Sequence, residues 1–547
     1  MKSDAIIIDG YVDEPACLGV PPYISPYIRT AAGVLTAHGF NVRYLTIDRL
    51  RVDHTLFPVI TQSSLVLVIA GVTVPGKYLG GTPATLTEVQ QIGLQARGKL
   101  TLIGGPIGFG YAPAGGHRAV KQVIAGFDHL LRGSLPEALD SFLSGGEPRG
   151  DLDYCQSDRW AVLGSPVITQ HPSYPHIMCE LETARGCARG STGGCSFCTE
   201  PLYGEPVYRS VEGVATEVEA LYAHGARHFR LGRQPDLLTY GAGSGEFPRP
   251  RPDLLASLFL GVREAAPDLR TLHIDNVNPG TIARHEEASR EALRVIVMHH
   301  TSGDVAAFGM ETADPEVIRK NNLKASPEQV LHAIRVVNEE GGKRVEGIPG
   351  LLPGLNFIAG LAGETPATFE MNERFLSRVL EAGLLVRRIN IRQLMPFEGT
   401  RAYTENTLGL HDSRFRVFKE YVRSKIDPKM LEEVFPAGTV LRGVVIEQSG
   451  PLSFGRQMGS YPILAGIPVT LTERSVIDAV VVGWGSRSVT ALPVPVEVNR
   501  LPAGALRWLP GIGKNKVAAI VAKRPFRSLE EFHRVAGATP MDDFLEF

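Results

Sequence analysis

The chain has 547 residues, 44% of them hydrophobic and 21% charged, enough to bury several cores and to divide into three or four units. Lys plus Arg number 56 against 58 Asp plus Glu, so a net charge of −2 argues against a nucleic-acid partner for the chain as a whole and confines any basic surface to a local patch. No stretch approaches the roughly 20 apolar residues that span a bilayer, and the opening MKSDAIIIDG has no basic, hydrophobic leader, so a cytoplasmic protein with no membrane partner is expected.

Residues 1–145 alternate short apolar runs with helical patterns. DAIIIDGY, NVRYLTID, SLVLVIAG and KLTLIGG read as strands, and PYISPYIRTAAGVLTAHGF between the first two has helical spacing with Gly39 as a stop. This is the pattern of a doubly wound, Rossmann-like parallel sheet, which binds ligands outside the carboxyl ends of its strands. Those ends carry Gly10, the loop at 71–85 with Gly71, Val72, Thr73, Lys77 and Tyr78, and GGPIGFG at 104–110 with Gly104, Gly105 and Pro106. Glycines there let backbone approach a large ligand.

Residues 146–175 read as a linker. Residues 176–430 form a second α/β series, with strands expected at HIMCELET, HFRLG, TLHIDNV, VAAFGMET, GLNFIAGL and RRINIRQL and helices such as SVEGVATEVEALYAHG and SPEQVLHAIRVVNEEG between them. Six βα units suggest an open barrel, whose active site would lie at the strand C-terminal ends.

The loop after the first of these strands, RGCARGSTGGCSFCTE, holds Cys187, Cys195 and Cys198, half of the six cysteines in the chain. Such usage suits a reducing compartment and one cysteine-bound metal site better than a disulfide framework. A structural zinc site would want a fourth Cys or His, and Cys17, Cys155 and Cys179 lie elsewhere and read as small buried residues. Three cysteines fit a 4Fe-4S cluster with one iron left open for a ligand.

Residues 431–500 are rich in β-formers and glycine and read as a small β-barrel of the TRAM or OB type. Residues 501–547 contain LRWLPGIGKNKVAAIVAKRPFRSLEEF, the pattern of a helix-hairpin-helix. Its glycine-turn amides could hold a phosphate, and Lys514, Lys516, Lys523, Arg524 and Arg527 supply local positive charge. The same hairpin also serves as a strut between domains.

The cysteine loop in a partial barrel resembles the radical S-adenosylmethionine (SAM) superfamily, whose common spacing is CxxxCxxC; this chain has four further residues in the first gap. Phe197 precedes the last cysteine as an aromatic does in that superfamily. The resemblance implies that Glu311, in FGMETADPEVIRKNN, lies near the ribose of SAM, that Ile358, Ala359 and Gly360, in NFIAGLAGET, hold the adenine, and that LMPFEGTRAY closes the core. It also implies that Arg233 or Gln234, in LGRQPD, replaces the GGE segment that meets the methionyl amino group. The order of a Rossmann-like domain with a PP-and-helix entry before the cysteine loop is similar to cobalamin-binding radical SAM enzymes. That likeness implies cobalamin in the loops after the N-terminal strands. The DxHxxG motif is absent and His38 and His54 lie outside such a context, so no histidine is expected beneath the cobalt.

The full layout resembles archaeal cobalamin-dependent radical SAM C-methyltransferases, among them enzymes acting on the α-carbon of a glutamine in the α subunit of methyl-coenzyme M reductase. The implied reaction removes hydrogen from an unactivated sp3 carbon with a 5′-deoxyadenosyl radical and transfers methyl from methylcobalamin, drawing on an external electron donor. The alternative is a radical SAM enzyme that modifies tRNA or DNA, recruited through the tail. Within that class a methylthiotransferase would need a second cluster on three N-terminal cysteines, and only Cys17 is there.

Overall fold

The computed structural model describes residues 3–14, 17–71, 81–243 and 245–547. Strands β1 (Asp4–Asp9), β3 (Asn41–Thr46), β4 (Leu65–Ile69), β5 (Leu100–Gly104) and β6 (His129–Leu130) form one parallel sheet in the order β3-β1-β4-β5-β6. The order reverses between β1 and β4, and a doubly wound sheet opens its ligand crevice at such a point. Helix α1 (Pro26–Ala37) starts at a proline and stops before Gly39, whose φ of +81° a glycine adopts without strain. Helix α2 (Leu86–Gln95) is held by a capping box from Thr85 and Glu88.

The expected linker at 146–175 is instead packed structure. Helix α3 (Tyr154–Gly164) crosses α1 at two glycines: a Cβ on Gly33 would lie 1.8 Å from the Trp160 carbonyl oxygen, and one on Gly164 1.8 Å from that of Arg29. Composition gave no warning, because the contact depends on the absence of two side chains 131 positions apart. Cys179 is buried as expected, but Cys155 is exposed, since α3 buries the face carrying Ser157, Trp160, Ala161 and Gly164.

The six expected core strands are present and parallel. They are β7 (Met178–Glu182), β8 (His228–Gly232), β9 (Thr271–Ile274), β10 (Asp304–Glu311), β11 (Leu351–Ala359) and β12 (Arg388–Gln393). β9, β8 and β7 continue onto the two-residue β2 (Tyr23–Ile24), while β10, β11 and β12 make a second sheet. A bridge between Asn276 and Ala307 joins the two sheets into one open wall. Helices α4 (Val211–Ala223), α5 (Pro327–Gly341) and α6 (Pro366–Glu381) pack outside it. Alternation along the strands separates two chemistries: Cys179, Leu181, Phe229, Leu231, Leu272 and Ile274 enter the apolar layer, and Glu180, Arg230 and His273 point the other way, into the barrel.

That apolar layer runs without interruption from β1 and α1 into the barrel helices. Arg29 of α1, fully buried, bonds Glu217 of α4 and the Glu180 carbonyl of β7, so the two α/β series are tied through one core.

Strands β13 (Val440–Gln448), β14 (Ser453–Gln457), β15 (Leu464–Ile467), β16 (Val476–Trp484) and β17 (Ser488–Val494) close a five-stranded barrel in the order β13-β14-β15-β17-β16. Helices α7 (Lys514–Lys523) and α8 (Leu529–Ala536) follow, and Ile520, Phe526 and Phe532 pack on Val480, Leu492 and Val498. Among the described residues no helix is long and apolar enough to cross a membrane.

Candidate active site

The three cysteines come together after β7, as the barrel reading requires. Cys187 donates its N–H to the Gly204 carbonyl, and the Cys198 N–H bonds the Cys195 carbonyl in a tight turn. The extra residues of the first gap form a 3-10 turn, Ala188–Thr192, followed by Gly193 and Gly194 at φ +82° and +59°. Two side chains lock it: Arg189 reaches the Cys195 sulfur at 3.2 Å and the Asn322 carbonyl at 2.8 Å, and Asn322 returns two hydrogen bonds to the carbonyls of Thr192 and Gly194. The Ser196 hydroxyl and N–H both bond Asn321. The longer loop is thus held by side chains at both of its ends.

Cys195 lies in an apolar pocket with Phe197, Val317, Leu323, Ile358, Leu361 and Leu394. Burial pushes the Cys187 thiol up, and pushes the Cys198 thiol well above the ordinary thiol range, with Glu200 and the neighbouring sulfurs adding to it. These thiols give up their protons to a metal or not at all at neutral pH. Among the described residues no three His, Cys, Asp or Glu side chains converge to hold a single metal ion. A cluster, whose thiolates sit on separate irons, is the group this donor set suits, rather than one zinc ion.

Around the sulfurs stand polar groups with work left to do. Glu311, at the end of β10, has φ +65°; burial pushes its carboxyl up to about 7, and its Oε2 accepts no hydrogen bond among the described residues. Gln234 Oε1 and Glu200 Oε2 are buried and likewise accept none among the described residues. Arg233 pairs with Glu200 and lies over the Tyr203 ring at 5.2 Å, so its charge is already met. Buried acceptors of this kind call for donors from a ligand. At the end of β11, Gly360 turns at φ +100° and donates its N–H to the Glu364 carboxylate at 2.9 Å, which fixes the turn that follows Ile358 and Ala359. Lys324 is the residue the sequence reading missed. Burial favours its neutral amine, but the negative charge that the three cysteines and Glu311 carry once deprotonated outweighs this and holds the proton on its ammonium. A Cβ on Gly309 would meet both Glu311 Oε1, at 2.6 Å, and Lys324 Nζ, at 2.9 Å. No motif marks this lysine; only its approach to Gly309 and Glu311 of β10 does.

The N-terminal sheet brings its ligand edge to the same place. Gly10 donates to the Ile69 carbonyl, and a Cβ there would press on that oxygen at 3.0 Å; Gly105, at φ +95°, would press on the Ala70 carbonyl at 2.9 Å. The β1/β4 edge is thus walled by bare backbone from Gly10, Gly71, Gly104 and Gly105, with Pro106 opening the next turn. Val72, Thr73, Lys77 and Tyr78 fall outside the described residues. Past Pro106, Phe109 meets Tyr203 edge-on at 5.5 Å, and Tyr203 in turn carries Arg185 and Arg233 on its ring. Gly116 and Ala119 donate to the carbonyls of Leu394 and Pro396 beyond β12. His38 is spent on Asp140 and His54 stacks on Phe57.

Residues 181–376 match the family model of the radical SAM superfamily. The chain belongs to the radical SAM superfamily. This radical SAM protein is 42% identical over 540 residues to a protein of Archaeoglobus fulgidus, covering 97% of each chain. It is also 42% identical over 508 residues to one of Methanocaldococcus jannaschii, covering 90% of this chain and 93% of the other. It forms one family with both. The fold is similar to that of the radical SAM methyltransferase TsrM of Kitasatospora setae, solved with tryptophan and a SAM analogue, at TM-score 0.50 and 15% identity over 73% of this chain and 74% of that one. A second TsrM structure, with cobalamin and a [4Fe-4S] cluster bound, aligns at TM-score 0.46 and 15% identity over 74% and 77%. A radical SAM domain takes a 4Fe-4S cluster and SAM.

Proposed function

We propose that this radical SAM protein is a cobalamin-dependent methyltransferase that methylates an unactivated sp3 carbon of a protein residue. The substrate the sequence resemblance points to is the α-carbon of a glutamine in the α subunit of methyl-coenzyme M reductase. The observation that carries the methyltransferase reading is the Phe109–Tyr203–Arg233 contact: the glycine-walled edge of the N-terminal sheet ends one aromatic ring from the cysteine loop. A large flat ligand in the β1/β4 crevice would face the mouth of the barrel, which is what transfer of a methyl between two bound cofactors and a third molecule requires.

Cys187, Cys195 and Cys198 would hold the cluster, and Gly10, Gly71, Gly104, Gly105 and Pro106 would line the corrin. The cluster and SAM would supply a radical able to take hydrogen from carbon, and cobalamin would supply a methyl that leaves with one electron of its bond to cobalt, to pair with the electron on the substrate carbon. The chain's own residues bind and orient. Gln234 Oε1 and Glu200 Oε2 are the acceptors for the methionyl ammonium, a task the cationic Arg233 cannot perform; Arg233 holds Glu200 in place instead. Glu311 faces the ribose hydroxyls, and the turn at Ile358, Ala359 and Gly360, braced by Glu364, offers backbone to the adenine. Phe197 keeps water from the sulfurs. At a peptide α-carbon the hydrogen removed leaves a radical shared with the flanking amide, which favours that position over side-chain methylenes.

The test is an anaerobic assay with cobalamin, SAM, a strong reductant and a peptide spanning the reductase glutamine, read by mass spectrometry. One added methyl on glutamine, with S-adenosylhomocysteine and 5′-deoxyadenosine in near-equal amounts, is expected. Methylation that persists without cobalamin would sink the mechanism, and an unmodified peptide beside a methylated protein of another kind would sink the substrate.

A further inference from the structure

The interior of the barrel is closed from below by a piece of the C-terminal barrel. Between β14 and β15, the carbonyls of Met458 and Gly459 accept from Thr271 and Tyr23, and Ser460 donates its N–H to His273 Nδ1 at 2.7 Å and its hydroxyl to the Ile274 carbonyl. Tyr461, at φ +51°, then turns its ring upward into the chamber, where its hydroxyl donates to Asp275 and accepts from Arg230, each at 3.2 Å. Arg230 also takes Glu180, so both acids of this layer are already paired.

Arg388 of β12 lies over the Tyr461 ring at 3.7 Å. It faces the interior: it shares a rung with Gly354, whose Cβ would touch the Arg388 side chain and Val305, and Asn390, two positions on, bonds Asn356 across the same face. Among the described residues no salt bridge or hydrogen bond is made by its guanidinium. The cations Arg392, Arg487 and Arg230 act on it, and the carboxylate whose field it shares, Asp275, is already paired with Arg230. The side chain is partly buried and keeps an exposed portion. A guanidinium pre-set over a ring on the interior face, with no carboxylate bonded to it, is a fork for an oxyanion.

We infer that Arg388 is the substrate-recognising residue of the chamber, that it takes a carboxylate of the substrate, and that Tyr461 of the C-terminal barrel positions it. The inference rests on the reading of this chamber as the radical SAM substrate site and deepens it: the carbon to be modified lies within reach of an acidic group, on the same residue or a neighbouring one. Arg392, four residues up the strand on the same face, extends the positive face toward Glu311.

The experiment measures binding rather than turnover, so it stands or falls apart from methyl transfer. Glutarate, and separately inorganic phosphate, are titrated calorimetrically into the anaerobically reconstituted full chain saturated with SAM. Saturable glutarate binding is expected, weakened about tenfold or more by Arg388→Gln, less by Arg388→Lys, retained in Tyr461→Phe and lost in Tyr461→Leu, with unchanged iron content and SAM binding as the check on folding. Binding of phosphate but not glutarate, with the same dependence on Arg388, keeps the anion site and assigns it a phosphoryl group. Absence of binding to both probes, or binding indifferent to Arg388→Gln, overturns the inference.

Discussion

Cys187, Cys195 and Cys198 are the only clustered thiols among the described residues, and burial holds two of them as neutral groups until a metal takes their protons. Replacing all three with Ala should reduce iron to background and abolish 5′-deoxyadenosine formation, while bound corrin persists; a triple variant that keeps a full complement of iron would remove the assignment. A second residue-scale effect concerns Asp9, at the carboxyl end of β1. It accepts from the Tyr11 N–H and the Tyr44 hydroxyl, and burial pushes its carboxyl up to about 7. The folded state therefore holds a proton that the unfolded chain releases near pH 4. This contribution is fully present below about pH 4 and lost as pH rises through about 7, amounting to at most about 4 kcal/mol. Asp9→Asn, which keeps the shape and cannot ionise, should match the wild type in urea melts at about pH 4 and exceed it at about pH 8. Parallel pH profiles for the two proteins would refute this.

At the scale of elements, the α1–α3 crossing decides how the two α/β series sit together. A methyl at position 33 has no room, because the Trp160 backbone is already 1.8 Å from where it would stand. Gly33→Ala should cost about 3 kcal/mol or more, seen as a lower urea midpoint, with Gly39→Ala in the same chain as a comparison for a glycine facing open space. The cost at Gly39 comes only from its positive φ and should be about 1 kcal/mol. Equal losses at the two positions would show that close packing is not the reason for Gly33. The cysteine loop makes the complementary point: its four additional residues are absorbed by Arg189 and Asn322, so the spacing departs from the common motif without loosening the site.

For the whole molecule, the terminal helices are built into the C-terminal barrel. Removing residues 501–547 would uncover Val480, Leu492 and Val498, so truncation tests stability rather than recruitment. The informative change is on the surface, where Lys514, Lys516 and Lys523 are exposed. Reversing all three to Glu should leave 5′-deoxyadenosine formation and methyl transfer to the peptide within about twofold of wild type, since surface charges act mainly over a Debye length of about 10 Å. A large loss of activity, together with tight and salt-sensitive binding of tRNA or DNA by the wild type, would favour the nucleic-acid reading.

The sequence alone determined what is local or periodic. Alternating apolar runs placed β1, β3, β4, β5 and all six barrel strands, since strand pairing follows the apolar pattern, and twelve residues with three cysteines marked the cluster loop. Contacts between distant segments were decided only in three dimensions. The supposed linker became α3 because two glycines 131 positions apart let backbones touch. Lys324 joined the site because its side chain comes to rest over Gly309 of β10, beside Glu311 and within the field of the cysteines. Tyr461 entered the chamber because a loop of a second barrel fits the open base of the first. None of these has a sequence period, since each depends on shape complementarity between surfaces that exist only once the strands have assembled.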